Sequence, residues 1–230
     1  MAPAVRIAVG QQGTVSGLFE APDDARACLV LAHGAGAGMA HPFMAAVADG
    51  LSARRVASLR FQFPYMEAGS KRPDRPAVAT ECVRAARAAA AELAPGLALF
   101  AGGKSFGGRM TSMAAADAGL ASVRGLVFLG FPLHPAGKPS DVRAAHLEDV
   151  ALPMLFVSGT RDALADMTLL RPVIARLGKR ARLLEVEGAD HSLHVPVRSG
   201  RTDAAVLAQV LDDVAAWMES VRDGTDGNLD

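Results

Sequence analysis

The chain is poor in the residues that mark several common functional classes. Of its 230 residues only two are cysteine, Cys28 and Cys82, far apart and in apolar segments. That excludes a disulfide framework and a thiolate metal site, which needs several clustered ligands. There is no surplus of either charge, with 24 basic and 24 acidic residues. Nothing in that balance draws the chain to nucleic acid or to an anionic membrane. No apolar run approaches the ~18 residues of a membrane span. The opening "MAPAVRIAVGQQG" has no apolar stretch of signal-peptide length. The expectation is a cytoplasmic protein with reduced thiols and without membrane or nucleic-acid partners. Its oligomeric state is left open.

What is abundant is apolar: half the residues are hydrophobic, ample for a large core. They fall into short runs alternating with longer amphipathic stretches. "AVRIAV" and "VSGLFEA" flank a turn and predict a hairpin. Strands are expected at 27–33, 56–61, 97–102, 123–129, 153–159 and 181–187, and helices at 41–55, 77–93, 106–118, 165–177 and 202–221. Such alternation predicts a mostly parallel sheet covered on both faces. Chemistry in such sheets sits beyond the carboxyl ends of the strands. One domain over residues 1–222 is expected, followed by a polar tail at 223–230.

The segment "AGGKSFGGR" (101–109) has two incompatible readings. A phosphate loop ending in Lys104-Ser105 needs a glycine at position 98, where the chain has alanine. The alternative frame, Gly103-Lys104-Ser105-Phe106-Gly107, is G-x-S-x-G directly after a strand. This is a nucleophile elbow, a sharp turn that leaves the serine hydroxyl standing above the sheet. The positions two before and two after the serine approach neighbouring backbone, which is why both are glycine.

A serine hydroxyl needs a base, and the base an orienting acid. In elbow-bearing folds the chain order is Ser, then Asp or Glu, then His. "SGTRDAL" offers Asp162 and "EGADHSL" offers His191, each just after an expected strand. Asp166 fits the cap of the next helix. Asp190 adjoins His191 and is badly placed to accept from its ring, and His194 suits the surface. His134 and His146 precede the last strands, where no acid follows in the required order. A metal reading of His191 and His194 lacks helical spacing and a glutamate base. Amide donors for an oxyanion are expected from Phe106 and from Ala35 in "HGAGAGM", with Gly34 and Gly36 beside it. A dinucleotide reading of that loop would need glycine or alanine where Met39 stands.

Together, "LAHGAGAGMAHPFM", "RFQFPYMEAGSKRPDRP", "AGGKSFGGRM", "SGTRDAL" and "GADHSL" resemble the alpha/beta-hydrolase superfamily over residues 15–220. Within it they resemble a small branch, similar to dienelactone hydrolases in size. That branch includes testis-expressed hydrolase-like protein thirty and the hydrolase-like domain of the third regulatory subunit of the NSL histone-acetyltransferase complex. The resemblance implies an α/β three-layer sandwich on an eight-stranded, mostly parallel sheet whose second strand is antiparallel. It implies hydrolase chemistry with Ser105 as nucleophile, His191 as base and Asp162 as acid, and supplies no substrate; the leading expectation is a small carboxylic ester or thioester, cleaved without cofactor or metal. Dienelactone hydrolases use a cysteine nucleophile, so their substrate does not carry over to Ser105. Some members of the branch serve as scaffolds, which keeps a non-catalytic interaction module as the competing expectation.

Two further expectations concern access. Residues 134–152, with "SDVRAAHLEDV" read as about three helical turns, are too few for a cap over the site. "FQFPYMEAG" is expected to form a partial rim, with Phe63, Tyr65 and Met66 as an apolar wall. Lys104, with Arg60, Lys71, Arg72 and Arg109 near the same edge, is expected either solvated or paired with acids such as Glu67 and Asp74. The alternative is that Lys104 meets an anionic substrate group.

Overall fold

The computed structural model describes residues 3–225. Eight strands form one sheet: β1 (Ala4–Ala8), β2 (Thr14–Glu20), β3 (Ala27–Ala32), β4 (Val56–Phe61), β5 (Ala98–Lys104), β6 (Val123–Leu129), β7 (Met154–Gly159) and β8 (Ala181–Val186). Their order is β1-β2-β4-β3-β5-β6-β7-β8, with β2 antiparallel to both its neighbours and all pairs from β4 to β8 parallel. Six helices complete the fold: α1 (Pro42–Ser52), α2 (Pro64–Glu67), α3 (Pro76–Leu93), α4 (Phe106–Ala118), α5 (Met167–Leu177) and α6 (Asp203–Asp223).

The central strands β3, β4 and β7 are buried at every residue, as parallel strands covered on both faces must be. Side chains alternate along β3. Cys28, Val30 and Ala32 join the core under α3, α4 and α5, while Ala27, Leu29 and Leu31 join the one under α1 and α6. The first is filled by residues such as Val83, Met110, Leu170 and Phe128, the second by Met44, Leu51, Val210 and Trp217. Among the described residues no helix is long and apolar enough to cross a membrane.

Several boundaries move for identifiable reasons. β5 runs past the expected glycine stop because Gly103 and Lys104 still pair with Phe128 and Leu129 of β6. α5 starts at Met167 because Asp166 is its cap, accepting from Thr168 N at 2.8 Å. α6 continues through Asp223 and ends on Gly224 in the left-handed region at φ 71°. The expected tail is therefore helical at its first residue, and its residues 226–230 lie outside the described ones. The expected helix within 140–150 is a 3-10 segment, Val142–Asp149. Its Ala144 and Leu147 are buried in the core under α3, α4 and α5, so the segment covers that face rather than the end of the sheet. Among the described residues the fold has no cap.

Candidate active site

Ser105 sits between β5 and α4 with φ 50° and ψ −116°, a strained conformation for a residue with a side chain. The neighbouring glycines explain how that strain is held. A methyl carbon at Gly107 would lie 2.5 Å from Ala32 O and 2.6 Å from His33 O, so α4 could not start this close to β3 with any other residue there. Gly103 faces the same stretch of backbone from the other side of the turn.

His191 follows β8 and Asp162 follows β7, and both loops reach the end of the sheet where Ser105 stands. His191 Nε2 lies 2.9 Å from Ser105 Oγ, and His191 Nδ1 lies 2.7 Å from Asp162 Oδ2. Asp162 Oδ1 accepts from Leu164 N at 2.7 Å. The Asp162 side chain is fully buried and acceptor-only, so Nδ1 of His191 must carry the proton and Nε2 is left to accept from the serine. Gly130, at φ 71°, makes room for this ring: a methyl there would stand 3.3 Å from His191 Nδ1.

The competing acids and histidines are occupied elsewhere. Asp190 accepts from Ser192 N at 2.8 Å and His194 N at 3.0 Å, shaping the loop that carries His191. His194 is exposed and bonds Asp203 at 2.8 Å. His134 Nε2 accepts from Asp166 N at 3.0 Å. A second serine–histidine pair was not anticipated: Ser112 Oγ lies 2.8 Å from His146 Nε2. Ser112 is buried and its hydroxyl donates to Arg109 O at 2.8 Å, so it accepts from the imidazole N–H. The proton direction is opposite to that of a base activating a nucleophile, and the pair instead ties the 3-10 segment to α4. Burial, and then the Arg109 guanidinium, hold His146 below the usual imidazole range. The two cysteines are also poor nucleophiles, since burial raises Cys28 to about 12 and Cys82 higher still.

The loop from His33 to Met39 lies against the elbow; a methyl on Gly34 would be 3.8 Å from Ser105 Cβ. His33 fastens the loop from beneath, with Nδ1 donating to Gly34 O at 2.8 Å and Nε2 accepting from Phe63 N at 3.1 Å. Burial lowers its pKa, as a neutral ring with one donor and one acceptor requires. Gln62 accepts from Met39 N at 2.9 Å and the Tyr65 hydroxyl from Gly36 N at 3.4 Å. Ala35 N has no partner among the described residues. Phe106 opens α4, where a backbone N–H has no intrahelical acceptor.

A cavity of about 410 Å³ opens at Ser105 and His191, within the range of small-molecule sites. Its apolar wall differs from the expected one. Phe63 is 0 % and Tyr65 4 % exposed, and neither reaches the cavity. They pack with His33 and Phe106 at ring separations of 4.9 to 6.4 Å, beneath the loop and the elbow. Gly36 is outside the cavity as well. The wall comes from Phe43 and Met44 in the first turn of α1 and from Leu164. The signal was present: a helix starting at Pro42, directly after a glycine loop at the site, must lay its first turn along that loop.

Lys104 is half-buried and has no ion-pair partner among the described residues. It lines the cavity, donates from Nζ to His191 O, and stands 5.9 Å from the centre of the Phe43 ring. The acids expected to neutralise this edge serve other groups, Glu67 pairing with Arg6 at 2.8 Å and Asp74 accepting from Tyr65 N at 3.0 Å. Arg60 is buried with Glu20 at 3.6 Å.

A sequence profile of the alpha/beta hydrolase domain matches residues 25–219. The chain belongs to that family. Solved hydrolases share its architecture. A dienelactone hydrolase from Anabaena variabilis superposes with a TM-score of 0.76 at 21% identity, covering 95% of this chain and 97% of its own. An alpha-beta serine hydrolase homologue from Coxiella burnetii gives 0.71 at 19%, covering 97% and 98%. A Xanthomonas campestris protein described as a serine hydrolase without lid gives 0.69 at 18%, covering 96% and 93%. At these identities the likeness is one of fold. It agrees with the absence of a cap among the described residues.

Proposed function

We propose that the protein is a serine hydrolase that cleaves small carboxylic esters or thioesters through an acyl-enzyme on Ser105. The observation that carries this reading is the continuous hydrogen-bonded chain from Ser105 through His191 to buried Asp162. His191 Nε2 takes the hydroxyl proton as Oγ attacks the acyl carbon, and Asp162 stabilises the imidazolium that forms. The negative oxygen of the tetrahedral intermediate is held by the amides of Phe106 and Ala35, at the amino terminus of α4 where the helix dipole favours it. His191 then protonates the leaving alcohol or thiol. It next removes a proton from water, which attacks the acyl carbon and frees the acid and Ser105. Phe43, Met44 and Leu164 receive the organic part of the substrate. No cofactor enters the scheme, and one catalytic domain spanning residues 1–222 suffices. A cytoplasmic setting fits the two buried free thiols.

Labelling with a fluorophosphonate tests the proposal. Folded protein is expected to take one equivalent at Ser105 and to lose the label in Ser105→Ala and His191→Ala. An unlabelled Ser105 in folded protein would leave a hydrolase fold without hydrolase chemistry.

A further inference from the structure

Lys104 is poorly explained by folding alone. Along β5, side chains alternate, and Lys104 leaves the same face as Phe100, toward α1 and the loop after β8. Its Nζ has one hydrogen-bond acceptor among the described residues, the carbonyl of His191, and its other N–H donors are available to whatever occupies the cavity it lines. A methyl on Gly130 would stand 2.8 Å from Nζ and 3.3 Å from the His191 ring, so the ammonium packs directly beside the base. No carboxylate lies within ion-pair distance among the described residues. Asp162 and Asp190 act on it only from farther away, and both are committed to other donors. Burial, the dominant cause, pulls its pKa down to about 8, so the group is still mostly charged at neutral pH. Apolar Phe43, Met44, Leu164 and Ala37 line the cavity with it, alongside polar His41 and Ser192. A partly buried cation with no carboxylate partner costs desolvation that a methionine of similar shape would avoid. Such a group makes sense when a ligand completes it.

We propose that Lys104 determines specificity, its ammonium selecting substrates whose acyl or alcohol part carries a carboxylate. This inference rests on the hydrolase reading of Ser105. A carboxylate suits the site better than a phosphate dianion, because among the described residues Lys104 is the one lysine or arginine lining the cavity and would neutralise only half of a dianion. A charge-assisted hydrogen bond replacing a neutral contact corresponds to roughly 10- to 100-fold in kcat/KM.

The test pairs each carboxylate with its carboxamide, nearly equal in shape. One arm places the group on the alcohol side (3-carboxyphenyl against 3-carbamoylphenyl acetate). The other places it on the acyl side, comparing the mono-p-nitrophenyl ester of adipic acid with its terminal amide. The expected result is a carboxylate preference of 10-fold or more in at least one arm, falling to near unity in Lys104→Met. The ratio is the readout, because losing the contact to His191 O lowers both rates together. Lys104→Gln replaces Lys104→Met should that variant not fold. Ratios at or below unity in both arms, or a preference that survives the substitution, would overturn the proposal. Calorimetric binding of adipate monoamide to Ser105→Ala protein separates the two readings. Binding that depends on Lys104 together with an unlabelled Ser105 sinks the hydrolase reading alone. A labelled Ser105 with no such binding and no rate preference sinks this one alone.

Discussion

Asp162→Asn is the substitution that most directly probes the site. The side chain keeps its size, and Oδ1 keeps the N–H of Leu164 at 2.7 Å. The new amide nitrogen then faces His191 Nδ1 across 2.7 Å, where the carboxylate oxygen stood. Two donors cannot share that contact, so the imidazole moves its proton to Nε2 and aims it at Ser105 Oγ, leaving no base. Flipping the amide instead sets its nitrogen against the Leu164 N–H, an unsatisfied buried clash of about 1–3 kcal/mol. The imidazolium of the transition state also loses its counter-charge. By analogy with triads elsewhere, the combined effect is about 10⁴-fold in kcat, or ~5.5 kcal/mol of transition-state stabilisation. The assay is turnover of a short-chain p-nitrophenyl ester, with thermal unfolding as the control for fold. Asp166→Asn is the matched comparison, because asparagine caps a helix as well as aspartate does; its activity should stay within about twofold and its stability within ~0.5 kcal/mol. If Asp162→Asn kept more than a tenth of the parent turnover while Asp166→Asn lost it, the assignment of the acid would be wrong.

Gly107→Ala places a methyl 2.5 Å from Ala32 O and 2.6 Å from His33 O, both backbone atoms that cannot step aside. The expected loss is ~3 kcal/mol or more, about 6–12 °C in Tm, whereas Gly34→Ala, whose nearest neighbour is 3.6 Å away, should melt within a few degrees of the parent. Lys104 has a folded pKa of about 8, below its unfolded value, so the folded state binds that proton less well and carries a penalty below pH 8 that fades as pH rises toward 10.5. Lys104→Met should therefore gain roughly 1–3 kcal/mol at pH 7 and little at pH 10.5, read by denaturant unfolding at the two pH values; Asp162, Asp190 and His191 face the same ammonium and remain unchanged. Tyr65→Phe removes the hydroxyl that holds Gly36 N and should lower kcat a few-fold with KM constant; a change confined to KM would return Tyr65 to the substrate wall. With no cap, rates on p-nitrophenyl esters should fall as the acyl chain lengthens and saturate smoothly with concentration. A jump in rate where substrate droplets form would reveal a lid.

The sequence by itself determined the features governed by local sterics and by period. The elbow is legible in "GGKSFGG" because the need for Gly103 and Gly107 is set by a turn of a few residues, whatever surrounds it. Strands at 56–61 and 123–129 and a helix at 106–118 were legible because buried parallel strands and amphipathic helices write different periods. That Asp162 and His191 come to the end of the sheet where Ser105 stands was legible, because each follows a strand. Tertiary structure decided what depends on where one element lands on another. Phe63 and Tyr65 read as a cavity wall when the chain is followed in one dimension. In the fold, His33 accepts the Phe63 amide and draws that segment beneath the glycine loop, and α1, crossing above, supplies Phe43 and Met44 to the wall instead. The sequence offered Lys104 at this edge, but packing decided which way its side chain points. That direction depends on β5 continuing its pairing with β6 through Lys104 and Leu129, which turns the side chain toward the cavity and the loop after β8. Spacing along a chain encodes the first kind of fact, because a few bonds enforce it. The second kind arises from contacts between residues more than twenty positions apart, and only packing sets those.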